Sequence, residues 1–76
     1  MALIEKFEKD SINFKKKHET AETTYSAGLI DNEIIFQINM YGSAYRKYKG
    51  KVSQVVQLNK ESAKELISLL KNAFNI

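Results

Sequence analysis

The hydrophobic pattern of this chain predicts strands first and a helix at the end. In residues 33–41, apolar even-numbered residues alternate with a mostly polar odd-numbered set. Strict alternation predicts a strand whose even positions face the core: Ile34, Phe36, Ile38 and Met40. Asp31 and Asn32 precede this strand and tolerate positive φ, so they predict a tight turn. Residues 20–30 then form the partner strand.

The C-terminal residues predict an amphipathic helix. Asn59 is a suitable N-cap, and Glu61 lies in the first turn, where the helix dipole favours an acid. Apolar residues then recur at helical spacing on one face: Ala63, Leu66, Ile67, Leu70 and Phe74. Leu69 and Ala73 widen this stripe to roughly 160°. Such a stripe can cover a sheet and leave a dimer interface at Leu66, Leu69, Leu70 and Ala73, unless Leu69 packs at the sheet edge.

The N-terminal residues fit two descriptions. Leu3, Ile4 and Phe7 could begin a short helix, whereas Ile12 and Phe14 alternate as in a strand. After residue 51 we predict a third strand, in which Val52, Val56 and Leu58 are all at even-numbered positions and therefore share one face. We therefore expect a single α+β domain over residues 1–76, with a small antiparallel β-sheet of three or four strands packed by a C-terminal amphipathic helix.

Charge adds one local feature, a basic and aromatic run at residues 45–51. The chain has a net charge of +3, and this run holds four cations and no acid, so the net charge of the remaining residues is −1. Cations interleaved with aromatic rings suit single-stranded nucleic acid, although a solvated hairpin tip is the alternative. Its basic and aromatic members are Tyr45, Arg46, Lys47, Tyr48, Lys49 and Lys51. A second cluster at Lys15, Lys16 and Lys17 joins the candidate site, or forms a solvated turn.

The register after residue 41 decides which side chains share a face. A two-residue turn at Gly42-Ser43 would direct three lysines into the core, and burying unpaired ammonium groups is too costly. A three-residue loop at 42–44 instead places Tyr48 opposite Ile38, with Gln57 outward and Val56 inward. The outer face then presents the candidate nucleic-acid contacts: Gln37, Asn39, Tyr41, Tyr45, Lys47, Lys49 and Lys51. A longer irregular loop across 42–50 also avoids the clash but loses this ordered face.

The sequence offers no catalytic or metal-binding constellation. His18 has no cysteine or second histidine beside it for a zinc site, and no nucleophile can be assigned to it. We therefore expect a non-enzymatic protein without a cofactor. No apolar run approaches the roughly 20 residues that span a bilayer, and residues 1–10 mix charges among the apolar positions. These features predict a cytoplasmic protein without a membrane partner.

The C-terminal half combines a basic glycine turn at Lys49-Gly50-Lys51, a strand ending in Val56-Gln57-Leu58-Asn59 and a helix over 60–74. In this combination, which covers about half of the chain, it resembles the positive cofactor four family of transcriptional coactivators. The resemblance implies a curved antiparallel sheet, a dimer formed through the helices and a grip on single-stranded DNA. Lys49 and Lys51 match the basic turn of that family, and Phe36-Gln37-Ile38 matches its central strand.

Two other functions compete with this one. A helix over residues 3–14 would give the order α-β-β-β-α, which is similar to a double-stranded-RNA-binding domain. Lys60 to Lys64 partly matches the last helix of that family. Alternatively, the wide helix stripe and an exposed strand edge would suit a small interaction module, such as a phage or plasmid regulator that binds a host protein. The net charge of +3 argues against a DNA-mimicking inhibitor.

Overall fold

In a computed structural model, the chain forms one sheet followed by one helix, and the structure describes residues 1–43 and 52–76. The strands are β1 (Ala2–Ile4), β2 (Ala21–Ile30), β3 (Glu33–Ser43) and β4 (Gln54–Leu58), and the helix is α1 (Lys60–Phe74). The strand order is β1-β4-β3-β2. The predicted α+β class, a curved sheet with a C-terminal helix, is confirmed. Because β1 pairs parallel to β4, the sheet is mixed instead of wholly antiparallel.

The turn between β2 and β3 is the one that the sequence predicts. Asp31 and Asn32 adopt φ values of 50° and 65°, and Ile30 pairs with Glu33 on either side of them. Two central residues with positive φ match the right-handed twist of the flanking strands. The pattern therefore predicted both the turn and its partner strand correctly.

The register between β3 and β4 differs from the prediction. Ile38 lies opposite Val56, and Phe36 lies opposite Leu58, so the expected pairing of Ile38 with Tyr48 is wrong. Val56 lies eight positions beyond Tyr48, and because this shift is even, Val56, Gln57 and Leu58 lie on the faces predicted for them. Alternation determines which residues of a strand share a face and does not determine which residues of two strands pair, so the grouping in β4 was predicted correctly and the pairing was not. The expected loop across 42–50 falls mostly on residues 44–51, outside the described residues.

The N-terminal helix is absent from the described part of the chain. Ala2–Ile4 form β1, where Ile4 lies beside Leu58, and residues 5–20 contain neither helix nor strand. The short apolar run pairs with β4, a partner more than fifty residues away in sequence, which local spacing cannot indicate. The order α-β-β-β-α of a double-stranded-RNA-binding domain is therefore wrong for this chain.

The helix begins at its predicted N-cap, Asn59, and ends at a C-cap, Asn75, that was not predicted from the sequence. The Asn59 side chain accepts a hydrogen bond from the Ser62 backbone N–H at 2.9 Å, and the Ser62 hydroxyl accepts one from the Asn59 N–H at 3.0 Å. Ser62 is completely buried beneath this reciprocal cap. At the other end, Asn75 adopts the left-handed conformation with φ 56°, and its N–H donates to the Lys71 carbonyl. Both caps satisfy backbone groups that the helix leaves unpaired.

Asn59→Ala should lower the free energy of unfolding by about 1 kcal/mol, because the first turn loses its side-chain acceptor. Asn72→Ala, an exposed change in the same helix, is the matched control and should leave stability unchanged or slightly raised. Urea unfolding followed by circular dichroism measures both. Equal midpoints for the two variants would show that the cap contributes nothing.

The helix leaves most of the sheet uncovered. Within residues 1–43 and 52–76, Ile35 and Leu58 are the buried apolar side chains, with 6% and 5% of their surface exposed. Ile34 was predicted to face the core, yet it is 61% exposed, whereas the odd-numbered Ile35 is buried. The reason is that α1 makes its main contact with β4 and does not lie across β2 and β3.

Candidate nucleic-acid interface

The two faces of the sheet differ in chemistry. Directly opposite residues of an antiparallel pair share a face, so Gln37 shares one with Gln57, and Asn39 shares the same one with Thr24. Tyr41 belongs to this face by alternation along β3. We call it the polar face. The opposite, apolar face carries the even-numbered residues of β3 together with Leu58.

A row of hydrogen bonds crosses three strands on the polar face. The Gln57 amide donates to Gln37 Oε1 at 2.8 Å, and the Gln37 amide donates to Asn39 Oδ1 at 2.9 Å. The Asn39 amide then donates to Thr24 Oγ1 at 3.4 Å, and that hydroxyl lies 3.3 Å from the Tyr41 hydroxyl. We call these five residues the polar row. Each bond orients the next side chain before any ligand arrives.

The polar row retains capacity for a ligand. A primary amide offers two N–H donors and two acceptor lone pairs, and one bond to each side does not exhaust them. Gln37, Asn39 and Gln57 are half-buried, while Thr24 is exposed. Half-burial keeps the amides rigid and still leaves their outer atoms within reach of solvent. The row can therefore make hydrogen bonds to flat polar groups that lie on the sheet.

The predicted site residues divide into three groups. Gln37, Asn39 and Tyr41 lie together on the polar face. The basic and aromatic segment falls outside the described residues: Tyr45, Arg46, Lys47, Lys49 and Lys51. Lys15, Lys16 and Lys17 are exposed in the segment 5–20, and no hydrogen bond or ion pair within the described ranges joins them to the polar row. Thr24 and Gln57 extend the site, and the sequence alone did not include them.

Charge is unevenly distributed along the polar face. The members of the polar row are all uncharged at neutral pH. Asp31 and Glu33 lie at one end of β3, whereas the chain leaves Ser43 at the other end toward the basic segment. These two ends are about 33 Å apart along β3 at about 3.3 Å per residue. The described charges of the polar face are therefore concentrated at the Asp31 and Glu33 end, where carboxylates repel other anions.

The apolar face is open. Tyr25 stacks on Phe36 with ring centroids 5.6 Å apart, and both rings belong to this face. Beside them, a groove of 540 Å³ lies between β3, β4 and the start of α1, with Ile34, Leu58 and Ala63 in its walls. Such a continuous apolar surface suits protein packing better than a polyanion.

The four residues predicted as a dimer interface lie further along α1 than the residues that line the groove. Leu66 is half-buried, while Leu69, Leu70 and Ala73 are exposed. Phe74 continues the stripe and is 69% exposed. Leu69 and Leu70 are 46% and 40% exposed, so the described residues cover the stripe only in part.

Comparisons with known proteins find no family model, no curated protein and no solved structure that matches this chain. The resemblance to the positive cofactor four family accordingly stays a prediction. In the described ranges, no helix has the length and apolar character needed to cross a membrane.

Proposed function

We propose that this chain is a non-enzymatic protein that binds single-stranded DNA on its polar face, in transcription or replication in the cytoplasm. The observation that carries the proposal is the polar row, which ends in Tyr41, two residues before the chain continues beyond Ser43 into a segment with six basic and aromatic residues. The amides of the polar row can bind base edges, the Tyr41 ring can stack on base faces, and the cations of the basic segment can bind phosphates.

Each part of this surface has a separate energetic role. A tyrosine ring that stacks on a base contributes roughly 1–3 kcal/mol, and it does so for any base. The lysines of the basic segment neutralise phosphates and release counterions, which makes the affinity fall with salt. Asn39 and Gln37 add hydrogen bonds to base edges. Affinity would thus come from charge and stacking, and modest base preference from the amides.

The active species in this proposal is a homodimer. Two buried apolar side chains among the described residues are far too few to hold a chain of 76 residues. The apolar face and the stripe of α1 are both open and both apolar, so a second copy can cover each with the other. The two polar faces then stay accessible to DNA.

A host protein is the second candidate for the open apolar face. The groove of 540 Å³ and the edge strand β2, whose ten residues are all exposed, favour a protein partner of some kind. Sedimentation of the chain by itself separates the two cases. A stable dimer at twice the 8.7 kDa chain mass supports the second copy, whereas a folded monomer supports a foreign partner.

Tyr41→Ala should weaken binding of a fluorescein-labelled oligo(dT) about tenfold, since a stacked ring is worth on the order of 1.4 kcal/mol or more. Tyr41→Phe keeps the ring and loses only the hydroxyl that faces Thr24, so it should stay close to the unchanged protein. Fluorescence anisotropy at two salt concentrations gives both affinities and the salt dependence. Absence of binding at the lower salt concentration would refute the function.

A further inference from the structure

A shallow depression lies on the polar face at the end of the sheet where β2 turns into β3. Its volume is 230 Å³, below the usual range of about 300–1,000 Å³ for drug-sized ligands. Ile35 is buried beneath it, and Leu3 and Ile30 form apolar walls that are about half exposed. Gln57, the first member of the polar row, forms another wall. A small flat ring fits this combination of apolar walls and one oriented amide.

The rim of the depression is acidic. Asp31 and Glu33 both line it. Ionised carboxylates accept hydrogen bonds and donate none, and they repel phosphate groups. The depression therefore favours the base of a nucleotide over its phosphate, and among bases it favours those that present an amino group.

Gly28 lies beside the depression and is not one of its lining residues, and it is the second feature of this part of the polar face that bears on a ligand. It lies directly opposite Ile35 and therefore on the polar face. Gly28 does not have the positive φ that favours glycine, and a Cβ atom added to it would lie more than 4 Å from any neighbouring atom. Neither backbone conformation nor packing inside the chain requires glycine, although glycine weakens a strand interior. Glycine within a strand often marks the close approach of a ligand.

We propose that this depression binds one cytosine base of the single-stranded DNA that lies along the polar face, an inference that rests on the proposed function. The N4 amino group of cytosine donates to the carboxylate rim, in the pairing that acidic side chains make with this base. Thymine presents a carbonyl oxygen at the equivalent position, which the carboxylates repel. The small volume favours a pyrimidine over a purine.

The test measures the affinities of oligo(dC) and oligo(dT) of equal length by fluorescence anisotropy. The proteins compared are the unchanged chain, the double variant Asp31→Asn and Glu33→Gln, and the two single variants Gly28→Ala and Gly28→Val. The unchanged protein should bind oligo(dC) about tenfold more tightly, a typical discrimination for one base edge. The double variant should reduce that ratio toward one. The Gly28 series should weaken oligo(dC) binding progressively with side-chain size.

Urea unfolding of the same variants keeps the result interpretable. Alanine and valine favour a strand over glycine, so the free energy of unfolding should stay level or rise while affinity falls. A parallel fall in stability would assign Gly28 to the fold and overturn the inference. Equal binding of both oligonucleotides, unaffected by the Gly28 series, would overturn it while leaving the proposed function intact. Failure of either oligonucleotide to bind would refute both.

Discussion

If the proposed homodimer is the folded species, Leu70→Lys should convert it into a largely unfolded monomer. Leu70 is 40% exposed in the single chain and lies in the middle of the open stripe of α1, where a second copy would cover it. Complete burial of a leucine is worth about 1.5–3 kcal/mol, and a symmetric dimer loses that amount twice. The lysine also places an ammonium group in an apolar contact. Domains of this size have only about 3–5 kcal/mol to lose.

Ser68→Lys provides the matched control for this experiment. Ser68 is exposed on the side of α1 opposite the stripe, so the same new charge enters water instead of an interface. Sedimentation and far-ultraviolet circular dichroism should show a folded dimer for this variant and a loss of both properties for Leu70→Lys. A Leu70→Lys protein that stays folded and dimeric would exclude the helix stripe as the interface.

The division of the sheet into two faces explains why some features were predictable from the sequence. Alternation in β3 assigned Gln37, Asn39 and Tyr41 to one face, and that assignment depends only on the parity of neighbouring residues. The turn at Asp31 and the cap at Asn59 are also local, because each depends on a side chain and its next few neighbours. Features of this kind can be predicted from the sequence because the residues that determine them are close together in the chain.

The remaining features depend on contacts between distant residues. The pairing of β1 with β4 brings Leu3 beside Gln57, and this places Leu3 on the polar face in a wall of the depression above Ile35. No local pattern indicates that contact, so Ile35 was expected to be exposed and is buried. The hydrogen bonds of Thr24 and Gln57 likewise require the register of three strands. Ile34 is exposed for a different reason, since α1 does not lie across β2 and β3.

The proposed dimer would contain two polar rows, and this number affects how affinity depends on the length of the oligonucleotide. If a second copy covers the apolar face, each dimer presents two polar rows on opposite outer surfaces or along one continuous surface. An oligonucleotide that reaches both would bind more tightly than one confined to a single row, through a higher effective concentration at the second site. The monomeric host-protein alternative has one polar row and gains nothing from a longer strand.

The double variant Tyr45→Ala and Lys47→Ala should weaken oligo(dT) binding about 100-fold. The expectation comes from the sequence, which places this ring and this cation within four residues of Ser43, where β3 ends. A stacked base contributes roughly 1–3 kcal/mol, and a lost phosphate contact adds to it, with 1.4 kcal/mol for each factor of ten. Loss of the Lys47 ammonium group should also make the slope of log affinity against log salt shallower by about 0.7, the value for one phosphate contact on a single strand.

Lys64→Ala removes the same charge from the exposed surface of α1, away from the polar face, and should change affinity little at either salt concentration. This comparison separates a local contact from the effect of net charge, which is only +3 for the whole chain. Equal losses for both variants would mean that overall charge drives binding. Unchanged binding by the double variant would place the DNA on another surface, because the basic segment would then supply neither a ring nor a cation to it.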